Sequence, residues 1–133
     1  MQNIIKKYKN KKIAVIYGGW SEEREISIRT GQAILTSLIS QGLNAFGLDL
    51  HAQTFEKLNS NEMDFAYIAL HGKGGEDGFI QAYLDMKNIP YTGTKASSSN
   101  LCMNKYFTKK ILNACKISTP PYEKITLQDA NFK

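Results

Sequence analysis

His71 ends an apolar run of strand length, Asp64 to Leu70, and opens a loop of four glycines, two acids and one lysine, Gly72-Lys73-Gly74-Gly75-Glu76-Asp77-Gly78. A continuous apolar strand suits a sheet covered on both faces, usually a parallel one. Ligands of such sheets bind outside the carboxyl ends of the strands, where His71 stands. The glycines let backbone approach a ligand closely. Glu76 and Asp77 are near enough in sequence for one of them to hold the imidazole. The competing reading is a glycine-rich turn with a solvated acid pair.

A second loop of similar chemistry, Gly18-Gly19-Trp20-Ser21-Glu22-Glu23-Arg24-Glu25, follows the short β-branched run Lys12 to Tyr17. Both loops should open on one edge of a parallel sheet. That edge would carry acids, one histidine and free backbone N–H groups. A carboxylate there suits an ammonium group, while amides and a helix N-terminus suit a carboxylate or phosphate. Together they suit a zwitterion such as an amino acid. The first loop is not the Gly-x-Gly-x-x-Gly dinucleotide fingerprint, and no Gly-Lys-Ser/Thr phosphate loop exists.

The elements that must position these loops follow in order. Lys12–Tyr17 reads as the first strand. A helix follows, with an apolar stripe of Ile26, Gln32 to Leu35, Leu38 and Ile39, stopped by Gly42. Asn44–Leu50 is a second strand, joined by a right-handed crossover to a parallel neighbour. Gln53–Asn59 forms a short helix, Asp64–Leu70 the third strand and Phe79–Met86 a helix. Ile89-Pro90-Tyr91 is extended, since the residue before proline is pushed to β. Thr92 to Asn100 is small and polar. Asn104 caps a helix from Lys105 to about Cys115. Pro120-Pro121 stops regular structure, and Tyr122–Leu127 is a candidate strand. The fold class is α/β, a small doubly wound parallel sheet (Rossmann-like) with flanking helices.

A chain of 133 residues is one natural unit that can bury a core without disulfides or metals. The net charge of +5 is local: Lys6, Lys7, Lys9, Lys11 and Lys12 fall within seven residues, and without them 12 basic side chains meet 12 acidic ones. This argues against a nucleic-acid-binding face, and a basic N-terminal tail over 1–11 reads as solvated. The apolar run after the lysines is too short for a signal peptide, and no stretch has transmembrane length. Cys102 and Cys115 have no metal-type spacing and read as reduced thiols, as in a cytoplasmic protein.

Gly18-Gly19-Trp20-Ser21-Glu22-Glu23-Arg24-Glu25-Ile26-Ser27 resembles the opening motif of the D-alanine–D-alanine ligases, an ATP-grasp family. Ala69 to Gly78 resembles their second motif, Ile89-Pro90-Tyr91-Thr92-Gly93 the strand and turn that follow, Met103-Asn104-Lys105 the start of the nucleotide-binding region, and Pro120-Pro121 the turn after it. The resemblance covers roughly Lys12 to Ile125. It implies an N-terminal (pre-ATP-grasp) domain over 12–103 and the beginning of the central region over 104–133. The rest of the ATP-grasp cleft would lie beyond Lys133. The implied activity joins two D-alanines with ATP, through a D-alanyl phosphate, for peptidoglycan precursors. ATP and Mg2+ (or Mn2+) would be held mainly by regions absent from this chain, and the chain alone would be inactive. D-alanine is the implied partner, a homodimer is compatible with the family, and neither nucleic acid nor membrane is implied.

By resemblance, Glu23 binds the ammonium of the first D-alanine, and Ser27 joins it in substrate binding. His71 lies beside the reacting carboxylate with Glu76 as its orienting partner, and Lys105 meets an ATP phosphate; no metal ligand is implied. The bland alternatives are a helix-N-terminal acid for Glu23, a role Glu22 and Glu25 fill better, and an exposed helix lysine for Lys105. Three positions depart from the family pattern: Asn104 in place of Asp, Lys95 where a small or apolar residue is commoner, and Trp20 in place of a small polar residue, which would narrow the mouth of the site. A stand-alone amino-acid-binding or regulatory module that lacks catalysis is the alternative function.

Overall fold

The computed structural model describes residues 2–51, 56–60 and 62–125. Its centre is β1 (Ile13–Gly18), whose Ile13, Ala14, Val15 and Ile16 are all buried. β-Branched residues in such a run fit a pleated surface covered on both sides. β1 pairs in parallel with β2 (Ala45–Leu50) on one side and β3 (Phe65–Ile68) on the other, giving the order β2-β1-β3. Ile13 stands opposite Ala45 and Phe65, and Ile16 opposite Leu48 and Ile68. Tyr91 adds an isolated parallel bridge to Ala66, held by Ala66 N to Pro90 O at 2.9 Å and Thr92 N to Ala66 O at 3.1 Å. Pro90 is tolerated there because this piece lies at the sheet edge.

In chain order the helices are α1 (Gln2–Tyr8), α2 (Arg24–Ser40), α3 (Lys57–Ser60), α4 (Phe79–Met86), α5 (Ala96–Met103) and α6 (Lys105–Ala114). The crossover through α2 runs from β1 outward to β2. The crossover through α4 runs outward the other way, from β3 to Tyr91. Right-handed connections then put α2 and α4 on opposite faces of the sheet. The core bears this out. Ala14 and Ile16 point to one face and pack with Leu48, Leu58, Ile80 and Leu84. Tyr17 points to the other, where α2 lies so close that a Cβ on Gly31 would overlap its ring. Burying Ile16, Leu50, Ile80 and Leu84 is worth about 1.5–3 kcal/mol each. The architecture is therefore the small, doubly wound α/β sheet read from the sequence.

Several expectations need correction. The inward face of α2 is only partly the stripe of large apolar residues: Ile34, Leu35 and Leu38 are half-buried, but Ile26 and Ile39 are 48% and 53% exposed, while Ser27 and Gly31 are buried. Small residues at i and i+4 let the helix axis approach the strand. The stop at Gly42 holds, with φ 77° and Leu43 N bonded to Leu38 O at 3.2 Å. β3 is shorter than Asp64–Leu70, although Ala69 N still reaches Ile16 O at 2.8 Å. Part of the helix expected over Gln53–Asn59 lies outside the described residues; the part described is α3. The basic segment 1–11 is not simply a tail, because Gln2–Tyr8 is helical and Tyr8 meets Phe65 edge-to-face at 5.4 Å. α5 occupies residues read as small and polar. Tyr122–Ile125 is not a strand, and the rest of that expected strand lies outside the described residues. Asn104 caps α6 as expected, its side chain accepting from Phe107 N at 3.2 Å.

Candidate functional site

The switch point of the sheet lies between β1 and β3, where the chain leaves toward opposite faces, and a crevice opens there. Gly18 and Gly19 take φ of 87° and 81°, a region open to glycine and strained for other residues. A side chain at Gly18 would also overlap the Asp49 carboxylate and the Arg24 guanidinium. The loop backbone thus passes directly beneath an ion pair. Arg24 reaches both Asp49 oxygens at 2.9 Å and also donates to Gly19 O and Leu50 O at 3.2 Å. The hydrogen bonds to Asp49 are the main reason its already high pKa rises further.

Two serines tie this loop to the end of β3. Ser27 is 0% exposed; its hydroxyl accepts from Gly18 N and donates to Ala69 O, each at 2.8 Å. Ser21 Oγ donates to His71 O at 2.8 Å and accepts from Glu23 N at 3.2 Å. Glu23 stands at the N-cap position of α2, yet its side chain makes no capping bond. Its carboxylate instead lies over Gly72: a Cβ added there would sit 2.5 Å from Glu23 Oε2. Glu23 and His71, 48 positions apart in sequence, therefore meet at one sheet edge.

The His71 imidazole has Thr30 Oγ1 at 3.4 Å from Nε2 and Glu76 Oε1 at 3.8 Å from Nδ1. The second distance is an electrostatic contact rather than a hydrogen bond. Asp77, the other acid of the loop, works locally: its oxygens accept from Gly74 N at 2.9 Å and from Phe79 N at 3.1 Å, so it fastens the loop to the start of α4. Trp20 crosses from the first loop to the second. Its ring lies against Gly74 and meets Phe79 edge-on, centroids 5.5 Å apart at 83°. Below the edge is a cleft of about 600 Å³, lined among others by Thr30, His71, Glu76, Gln81 and Lys105. Lys105 bonds Cys102 O at 3.2 Å. Glu23 and Ser27 are not in the lining: Glu23 overhangs the rim at Gly72, and Ser27 is sealed beneath it.

Three contributors went unread in the sequence. Thr30 faces the imidazole from α2. Gln81 is buried and holds Gly75 O at 2.7 Å through its amide nitrogen. Its signal was an amide inside the apolar face of α4, beside Ile80. Asp49 pairs with Arg24 across 25 positions, which nothing local announces. Lys95, an unusual residue in its motif, is explained locally: it binds Asp85 at 2.7 Å and lies over the Tyr91 ring at 5.0 Å.

A parallel sheet wound on both faces, with glycine loops converging at its switch point, defines an α/β unit of the doubly wound class, in which ligands bind at that point. Known proteins narrow that class. The family described as D-ala D-ala ligase N-terminus matches residues 48–94. A D-alanine--D-alanine ligase of Carboxydothermus hydrogenoformans is 50% identical over 111 residues, which are 84% of this chain and 36% of the relative. One from Pseudomonas fluorescens is 46% identical over 82% of this chain and 34% of its own length. The D-alanine--D-alanine ligase of Bacillus anthracis complexed with ATP superposes on 92% of this chain and 43% of its own, with TM-score 0.78 and 38% identity. A D-Ala:D-Ser ligase from Enterococcus faecalis superposes on 84% of this chain and 44% of its own, at TM-score 0.71 and 26% identity. In sequence and in fold, this chain matches the N-terminal region of the D-alanine–D-alanine ligases. It spans about a third of the length of the curated relatives it matches.

Proposed function

We propose that this chain supplies the amino-acid side of the active site of an ATP-dependent D-alanine–D-alanine ligase. The observation that supports this best is the position of the Glu23 carboxylate over Gly72, next to His71. In the proposed reaction ATP phosphorylates the carboxylate of one D-alanine, giving D-alanyl phosphate and ADP. The amine of a second D-alanine attacks that carbonyl carbon, and phosphate leaves from the tetrahedral intermediate. Glu23 accepts a charge-assisted hydrogen bond from the ammonium of the first D-alanine. His71 lies beside its carboxylate, with Glu76 as its orienting partner once the 3.8 Å gap between them closes to hydrogen-bond distance. Lys105, on the same cleft, offers its charge to an ATP phosphate. Ser27, with its hydroxyl already spent on two internal bonds, serves substrate binding by holding the loops rather than by touching the ligand.

The division of the chain at residues 12–103 and 104–133 belongs to this proposal, as do a cytoplasmic location and a homodimer. So does a role in making peptidoglycan precursors. No helix among the described residues is long and apolar enough to cross a membrane. Among those residues no group of three or more His, Cys, Asp or Glu could hold a metal ion, so the chemistry that Mg2+ would supply is assigned to none of them.

The test is His71→Ala in the full-length protein. Turnover should fall by about 10²-fold or more, as for loss of a group close to the reacting centre, while the melting temperature changes little. A collapse of melting with normal turnover in the folded remainder would make His71 structural. Glu76→Gln should show a milder loss of turnover. Absence of D-alanine-dependent phosphate release from the unmodified full-length protein would favour the binding-module alternative.

A further inference from the structure

We infer that the Arg24–Asp49 pair is a positioning device that sets where the Glu23 carboxylate stands, and so governs affinity for the first amino acid; this rests on the proposed role of Glu23. Arg24 is the residue next to Glu23, at the first turn of α2. Its guanidinium forks onto both Asp49 oxygens at 2.9 Å and also takes Gly19 O and Leu50 O at 3.2 Å. Planar bidentate geometry of this kind fixes orientation as well as distance. One side chain thereby fastens the first loop to the end of β2. On the other side Ser21 fastens the same loop to the end of β3, through His71 O and Glu23 N. Glu23 is suspended between these two anchors and makes no capping bond of its own.

The pair is partly exposed, Arg24 at 32% and Asp49 at 43% of the side chain, so solvent screens part of its attraction. Yet the loop is shaped around it. Gly18 carries φ 87°, and any Cβ there would collide with both partners. Misplacing a binding group by about an ångström can cost up to about 10²-fold in rate.

The test uses the full-length protein and its steady-state kinetics for the first D-alanine and for ATP. Arg24→Lys keeps the charge and loses the fork; Asp49→Asn keeps the shape and loses the charge. Each should raise KM for the first D-alanine by about tenfold, leave KM for ATP within about twofold, and leave the melting temperature nearly unchanged. The double variant should be no worse than the poorer single one, because the two residues act as a unit. Glu23→Gln is run alongside. If it impairs D-alanine binding while the pair variants alter only melting, or alter D-alanine and ATP alike, the positioning role is overturned and the Glu23 reading stands. If Glu23→Gln has no effect on D-alanine, the Glu23 reading falls and the positioning role falls with it.

Discussion

Ser27 shows how much one small side chain holds at this site. Its hydroxyl closes two hydrogen bonds, to Gly18 N and Ala69 O, with no access to solvent. Removing it leaves a buried donor and a buried acceptor unsatisfied, which costs about 1–3 kcal/mol. Ser27→Ala should therefore lower the unfolding free energy by that amount, read as a fall in the denaturant midpoint with an unchanged slope. An unaltered midpoint would mean that water or a local shift replaces the hydroxyl. At this scale residue types were readable but their partners were not. Closeness in sequence leaves Glu76 and Asp77 both open as partners for His71, and the family resemblance points to Glu76, which lies 3.8 Å away. Asp77 instead accepts from Gly74 N and Phe79 N, joining the loop to the start of α4. The choice between neighbouring acids depends on the turn of the loop, which the glycines leave free until the sheet fixes it.

Among the elements, β1, β2, α4 and α6 were legible, because each has an unambiguous period or cap. α2 was legible in extent but not in orientation. A search for large apolar residues selects Ile26 and Ile39, which are exposed, and passes over Ser27 and Gly31, which face the sheet. The packing of Gly31 against Tyr17 makes a clear prediction. Gly31→Ala should gain roughly 1 kcal/mol in helix propensity but lose about 1–3 kcal/mol to overpacking, for a net loss in thermal unfolding. Gln32→Ala, one position along on the exposed side, should lose nothing. A more stable Gly31→Ala would mean that α2 can lift from the strand at no cost. α5 escaped detection because Ala96-Ser97-Ser98-Ser99 has no apolar period and, after Ala96, only serines, which compete with the backbone for hydrogen bonds.

A second prediction at this scale concerns pH. Asp64 accepts from Lys12 N at 2.8 Å, joining the starts of β3 and β1. That bond, helped by Lys11 and Lys12, holds its carboxyl below its ordinary value of 3.8. A lowered folded-state pKa favours the folded form once the carboxylate is ionised. The contribution is therefore full above the unfolded pKa and is lost as pH falls through the folded one. Asp64→Asn should flatten the acid limb of a melting-temperature profile below about pH 4, with a small and constant offset at neutral pH. An identical acid limb in both proteins would mean that Asp64 contributes nothing to the acid sensitivity of the fold.

For the whole molecule, the order β2-β1-β3 is the decisive feature, because it carries two loops away from neighbouring strand ends toward opposite faces. The sequence alone indicated that both loops would open on one edge. It could not indicate that the Glu23 carboxylate would lie over Gly72, since that depends on Ser21, Ser27 and the Arg24–Asp49 fork acting across the sheet. This edge is proposed to receive the ammonium of a first D-alanine on Glu23. The most direct test is the apparent affinity of the full-length protein for the first D-alanine and for ATP, in Glu23→Gln and in Glu22→Gln. A charge-assisted hydrogen bond worth about 1.5–3 kcal/mol corresponds to a loss of about ten- to a hundredfold. That loss should appear for D-alanine in Glu23→Gln alone, with ATP affinity unchanged and Glu22→Gln close to the unmodified protein. Equal losses in both variants, or a loss confined to ATP, would contradict it.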